Sequence, residues 1–147
     1  NLEPKVLEYN CRFGDPETQP IMMRLNSDLI DLINLSFKGG IDKFPIKWNP
    51  DTALGVVMSS KGYPEQYETG HEISGLSGFN DAKNLKVFHS GTALDNDKIL
   101  TSGGRVLCVT ALGADIKTSK ALADSAVSNI NWEGCYCRKD IGFRVIK

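Results

Sequence analysis

The chain has almost no net charge: 17 Lys and Arg against 18 Asp and Glu leave −1 over 147 residues. That balance gives no electrostatic case for nucleic acid, whose binding rests on phosphate neutralisation, or for an anionic membrane surface. No apolar run approaches the ~20 residues that span a bilayer, and no secretory signal is visible. Internal repeats, low-complexity tracts and a glycine-rich phosphate loop are also missing. Histidine is scarce. His71 and His89 are the only two, and a lone histidine is usually structural. A catalytic reading arises only for His89, which stands beside Ser90-Gly91-Thr92. Of the four cysteines, Cys135 and Cys137 form C-x-C with no second pair at zinc-finger spacing, which leaves reduced thiols as the expectation. The two share one face of a strand. Cys11 and Cys108 fall inside apolar strand patterns and are expected to pack as small hydrophobes.

The apolar fraction of 41% and the length suit one globular domain, or one domain with an appendage. A strand is expected over Lys5 to Phe13, ended by Gly14-Asp15-Pro16. Thr18 or Gln19 caps a helix with Pro20 in its first turn. Ser27 caps a second helix with an apolar stripe of Leu29, Leu32, Ile33 and Phe37, stopped by Gly39-Gly40. The pattern then turns mostly β. Strands are expected over Ala53 to Ser59, Lys86 to His89, Lys98 to Leu100 and Arg105 to Ala111. Ser102-Gly103-Gly104 joins the last two as a hairpin. Gly62, Gly70, Gly75 and Gly78 punctuate loops around a short strand near Glu72. Asp115 or Thr118 starts a helix with Ala121, Leu122, Ala126 and Ile130 on one face, and a final strand covers Tyr136 to Arg138. The fold class is α+β with an antiparallel sheet.

Chemistry concentrates near the start, in Val6-Leu-Glu-Tyr-Asn-Cys-Arg-Phe-Gly-Asp-Pro-Glu-Thr-Gln19. On a strand, Leu7, Tyr9, Cys11 and Phe13 point into apolar packing, while Glu8, Asn10 and Arg12 share the other face. A carboxylate and an amide oxygen two residues apart suit a hard cation such as Mg²⁺, which keeps waters and substrate phosphates around it. Arg12 suits a phosphate or carboxylate. A plain solvated strand face is the competing reading, with Arg12 in an ion pair to Asp15 or Glu17. Asp15 and Glu17 lie in a loop where binding groups often sit; capping and dipole compensation at the following helix is the alternative. Arg138, Lys139 and Asp140 form a charged cluster that either faces a cleft or pairs on the surface.

Glu8-Tyr-Asn10-Cys-Arg12 resembles the E-x-N-x-R strand of ATP-grasp ligases. The longer run Glu8 to Gln19 resembles the phosphoribosylamine–glycine ligase (glycinamide ribonucleotide synthetase) family more specifically. Ser60-Lys-Gly-Tyr-Pro64, Gly70-His-Glu-Ile-Ser-Gly-Leu76, Val87-Phe-His-Ser-Gly-Thr92, Thr101-Ser-Gly-Gly-Arg-Val-Leu107, Val109-Thr-Ala-Leu-Gly113 and Arg138-Lys-Asp-Ile-Gly142 are similar to it too, in the family's order and over nearly the whole chain.

The resemblance implies a cytoplasmic, ATP-dependent carbon–nitrogen ligase of purine synthesis. It joins glycine to 5-phosphoribosylamine through a glycyl phosphate, giving glycinamide ribonucleotide. Residues 1–39 would end an ATP-grasp domain, and residues 40–147 would form the C-terminal domain. Glu8 and Asn10 would hold Mg²⁺ or Mn²⁺, Arg12 would be catalytic beside the transferred group, and Asp15 and Glu17 would bind substrate. Family members run to roughly three times this length, a size that implies several domains. The chain begins with Asn1 and opens almost directly into an active-site strand, so it reads as a C-terminal fragment, inactive alone, whose partner is the rest of the same enzyme upstream. Two other readings are another ATP-grasp carboxylate–amine ligase, or a carboxylase of that superfamily, and a non-catalytic structural module. Phe13-Gly-Asp-Pro-Glu-Thr18 argues against the former.

Overall fold

The computed structural model describes residues 3–79 and 82–146. In chain order it contains α1 (Thr18–Arg24), α2 (Leu29–Lys38), β1 (Thr52–Ser60), β2 (Leu85–His89), β3 (Thr92–Asp95), β4 (Lys98–Thr101), β5 (Arg105–Gly113), α3 (Ile116–Asn129) and β6 (Cys135–Cys137), with single 3₁₀ turns at Ile41–Lys43 and Leu76–Phe79. β2, β5, β1 and β6 form a four-stranded sheet in that order, and every pairing is antiparallel. The expected α+β class is therefore what the chain adopts.

The core follows from period-two alternation. Leu54, Val56 and Met58 on β1 stand opposite Ala111, Val109 and Leu107 on β5, and Leu85 and Val87 on β2 extend the same face. Ala123, Ala126, Ile130 and Trp132 cover it. On the other face α1 packs against β1 and β5. A Cβ on Gly55 would lie 3.3 Å from Pro20 Cγ and 3.2 Å from Cys108 Sγ, so the missing side chain lets α1 close on the sheet.

The buried face of α3 is Ser119, Ala123 and Ala126. The expected stripe through Ala121 and Leu122 is corrected, since both point outward and Leu122 is 39% exposed. Capping and anchoring set this rotation. Asp115 is the N-cap and accepts from Thr118 N at 2.7 Å, a bond that holds its carboxyl below the usual Asp range. Ser119 Oγ then donates to Thr52 O at 2.8 Å, tying the helix to β1 with Ser119 inward.

A second correction concerns the hairpin. β4 pairs with β3, and β5 pairs with β1 and β2. The turn is Asn96-Asp97, where both residues have positive φ (46° and 64°), as the favoured two-residue hairpin turns require. β2–β3 and β4–β5 are the two arms of one long hairpin. Ser90 N donates to Val106 O, Gly91 N to Arg105 O and Ser102 N to Gly91 O, at 3.0, 2.9 and 2.8 Å, so pairing continues across the break. Ser102-Gly103-Gly104 is an irregularity within one arm rather than its turn.

The N-terminal helices depart from expectation at their caps. Glu17 is the N-cap of α1 and makes no side-chain bond there, while Thr18 lies inside the helix. Asp28 caps α2 through Ile30 N and Asp31 N, whereas Ser27 Oγ accepts from Lys47 N at 2.8 Å. With Asn26 N to Lys47 O, Asn49 N to Arg24 O and the Leu25–Trp48 bridge, this forms a neck. From the neck α2 and the Ile41–Lys43 turn project. Gly39 and Gly40, both at positive φ, end α2 as expected. Its stripe is only partly covered: Leu32 is buried, but Ile33 is exposed and Phe37 is 86% exposed, because the described residues put nothing over it.

The assignment of α3 faces is checked by thermal unfolding. Ala123→Leu forces volume into a filled core and should cost about 1–3 kcal/mol. Leu122→Ala should cost under about 1 kcal/mol. The reverse order would place Leu122 inside.

Candidate functional site

Glu8, Asn10 and Arg12 lie on an unpaired, irregular segment with a bend at Arg12, not on a strand. The expected inward packing of Leu7, Tyr9, Cys11 and Phe13 is corrected as well: all four are exposed, Leu7 by 97%. Among the described residues no strand lies beside this segment, and a strand without a ladder neighbour has neither partners for its backbone groups nor a surface to pack on. The chemistry of the face is nevertheless together. Asn10 Nδ2 donates to Glu8 Oε1 at 3.2 Å, so one carboxylate and one amide sit side by side, open to solvent. That donor set fits Mg²⁺, which takes one or two protein oxygens and leaves its other positions to water and phosphate. Among the described residues no three His, Cys, Asp or Glu converge as a self-sufficient metal cage. Arg12 donates to Phe13 O at 3.1 Å and ion-pairs with neither Asp15 nor Glu17.

The segment meets the sheet at a tight corner. Gly14 O accepts from Glu17 N at 3.1 Å, Thr18 N at 2.9 Å and Thr18 Oγ1 at 2.7 Å. The Glu17 carboxylate folds over Gly14, where a Cβ would collide with it. Asp15 reaches across to Arg105 at the start of β5, Oδ2 to a guanidinium nitrogen at 3.0 Å. Arg105 stands over the Tyr63 ring at 5.7 Å, and the ring lies against Gly104, where any side chain would strike it. Sequence reasoning gave Arg105 and Tyr63 no role, although both lie in the quoted blocks Thr101 to Leu107 and Ser60 to Pro64.

Beyond Tyr63 opens a groove of about 990 Å³, lined by Lys61, Glu65, Tyr67, Glu68, His71 and Glu133 among others. His71 sits between two carboxylates, Nε2 3.5 Å from Glu68 and Nδ1 3.7 Å from Glu133. Because opposite edges of the ring face the two, they do not converge on one point. His89 Nδ1 lies 3.1 Å from Thr92 Oγ1 on the surface. Arg138 and Asp140 pair bidentately at 2.9 and 2.7 Å, both exposed, which decides for the surface pairing of that cluster.

The chain is similar in sequence and fold to known proteins. The family model described as phosphoribosylglycinamide synthetase, C domain, matches residues 53–144. The phosphoribosylamine–glycine ligase of Allochromatium vinosum is 54% identical over 143 residues, covering 97% of this chain and 33% of that protein. That of Escherichia coli K12 is 48% identical over 145 residues, covering 98% and 34%. The crystal structure of phosphoribosylamine–glycine ligase from Thermotoga maritima is similar with a TM-score of 0.78 at 31% identity, covering 95% of this chain and 34% of that one. The chain belongs to the phosphoribosylglycinamide synthetase family, in the part that holds its C domain. It spans about a third of the length of the curated relatives it matches.

The cysteines divide by environment. Cys11 is exposed, against expectation, and Cys108 is buried as expected. Burial pushes the Cys108 thiol up. Burial, and secondarily the neighbouring Cys137, push Cys135 up to about 11. Thiolate is the reactive form, so iodoacetamide at pH 8 followed by peptide mass mapping should modify Cys11 first and Cys108 and Cys135 last. Cys135 reacting as fast as Cys11 would contradict this placement.

Proposed function

We propose that this chain is the C-terminal part of a phosphoribosylamine–glycine ligase, which joins glycine to 5-phosphoribosylamine with ATP and releases glycinamide ribonucleotide, ADP and phosphate. The observation that carries the reading is the exposed Glu8–Asn10 pair, set in a segment whose likeness to this family runs through Gln19. Residues 1–39 end the ATP-grasp domain and residues 40–147 form the C-terminal domain. The setting is the cytoplasm; no helix among the described residues is long and apolar enough to cross a membrane.

Glu8 and Asn10 would hold Mg²⁺ or Mn²⁺, which would supply charge stabilisation to the phosphate oxygens. Arg12 lies next along the segment and places a guanidinium beside the phosphoryl group passing from ATP to the glycine carboxylate. Its tie to a backbone carbonyl leaves donors free for an anion. Asp15 and Glu17 lie on the substrate side, where the amine of phosphoribosylamine attacks the glycyl phosphate. The protein's contribution is positioning and charge stabilisation, as in other phosphoryl transfers. By itself the 147-residue chain acts as a non-catalytic module, a reading supported by the solvent exposure of Glu8, Asn10 and Arg12.

The test is glycine- and phosphoribosylamine-dependent ADP release. The 147-residue chain should show none, and an enzyme of the relatives' full length carrying this part should turn over. In that enzyme Glu8→Gln keeps the shape but removes the charge a hard cation needs, so turnover should fall about a hundredfold or more with the fold intact. Near-normal turnover and Mg²⁺ dependence in Glu8→Gln would leave Glu8 a solvated residue.

A further inference from the structure

We propose that Arg105 is a positioning residue for the Glu8–Asn10 segment and acts through its ion pair with Asp15; this rests on the function proposed above. The segment before Gly14 has no strand beside it among the described residues, so its direction is set at the corner. There the three bonds to Gly14 O fix the turn onto α1. The Asp15–Arg105 pair, at 3.0 Å, is what ties that turn to the sheet by charge.

Arg105 is well placed as the fixed end. It pairs with Ser59 in the β1–β5 ladder, its backbone carbonyl accepts from Gly91 N at 2.9 Å, and its guanidinium lies over Tyr63. The side-chain-free surface of Gly104 backs the Tyr63 ring in turn. Asp15 is the movable end. An extended chain advances ~3.3 Å per residue, which bounds the reach from Asp15 to Asn10 at ~16 Å; the bend at Arg12 shortens it, yet a swing of a few degrees still moves Asn10 by about 0.5 Å or more. Ligand constellations tolerate only ~0.5 Å. With 41% and 44% of the Arg105 and Asp15 side chains exposed, the pair adds little to stability. Its effect is on direction.

The experiment compares Asp15→Asn, Arg105→Gln, the double variant and Arg105→Lys in the full-length enzyme. The readouts are melting temperature and the Mg²⁺ concentration for half-maximal ADP release at saturating glycine and phosphoribosylamine, which removes any effect of Asp15 on substrate binding. Each single change should raise that concentration about threefold to fivefold at an unchanged melting temperature. The double variant should be no worse than either single, and Arg105→Lys should recover most of the loss. An unchanged Mg²⁺ requirement, or a double variant whose effects multiply, would overturn the proposal, the latter by showing that the two groups act separately. A second arm needs no turnover: amide exchange at Glu17 and Thr18, whose N–H groups donate to Gly14 O, in the 147-residue chain. Exchange should quicken in each single variant and no further in the double. Equal exchange in all forms would overturn the coupling. If the unmodified enzyme releases no ADP, the proposed function fails, and this arm alone decides the coupling.

Discussion

The antiparallel ladder between β1 and β5 is the constraint on which the rest of this structure depends. Leu54, Val56 and Met58 stand opposite Ala111, Val109 and Leu107, and that one face is buried under α3. A slip of one residue would move the whole apolar set from the α3 face to the α1 face, so the register is strongly specified. The other elements attach to this pair. α3 is tied by Ser119 to Thr52 O, β2 and β6 flank the two strands, and Gly55 admits α1 on the far face. The corner carrying Asp15 is referred to the same ladder through Arg105.

Much of this was legible in the residues. Two long apolar runs announced β1 and β5, and Gly39-Gly40 marked the end of α2. Other features were hidden because they depend on what lies across in space. Asn96-Asp97 carries a turn signal, but its flanking strands are short and Leu94 is exposed, so the alternation was weak. Ser102-Gly103-Gly104 has turn composition yet lies within one arm of a hairpin, since the pairing of Gly91 with Arg105 and Ser102 carries the chain past it. For α3, periodicity allowed two rotations, and a single buried hydroxyl, Ser119, chose between them.

The candidate site shows the same division. Glu8, Asn10 and Arg12 were found from spacing and family likeness, and Glu8 and Asn10 do lie within hydrogen-bond reach. Their strand was not found, because strand structure belongs to a ladder and this segment has none among the described residues. Arg105 escaped notice because nothing in its own neighbourhood signals an ion pair with Asp15, far away in sequence. Exposed apolar residues are densest in the same N-terminal region, from Leu7 and Tyr9 to Phe37 and Trp48, whereas β1 and β5 bury most of theirs. The N-terminal part is held to the β1-to-β6 body mainly by α1 and the 24–27/47–49 neck.

Limited trypsin digestion with mass mapping tests that arrangement most directly. The account predicts first cuts after Lys5, Arg12, Lys38 and Lys43, leaving a resistant product that runs from β1 to β6. Early cleavage after Arg105, Lys117 or Lys120, with the N-terminal sites protected, would contradict it.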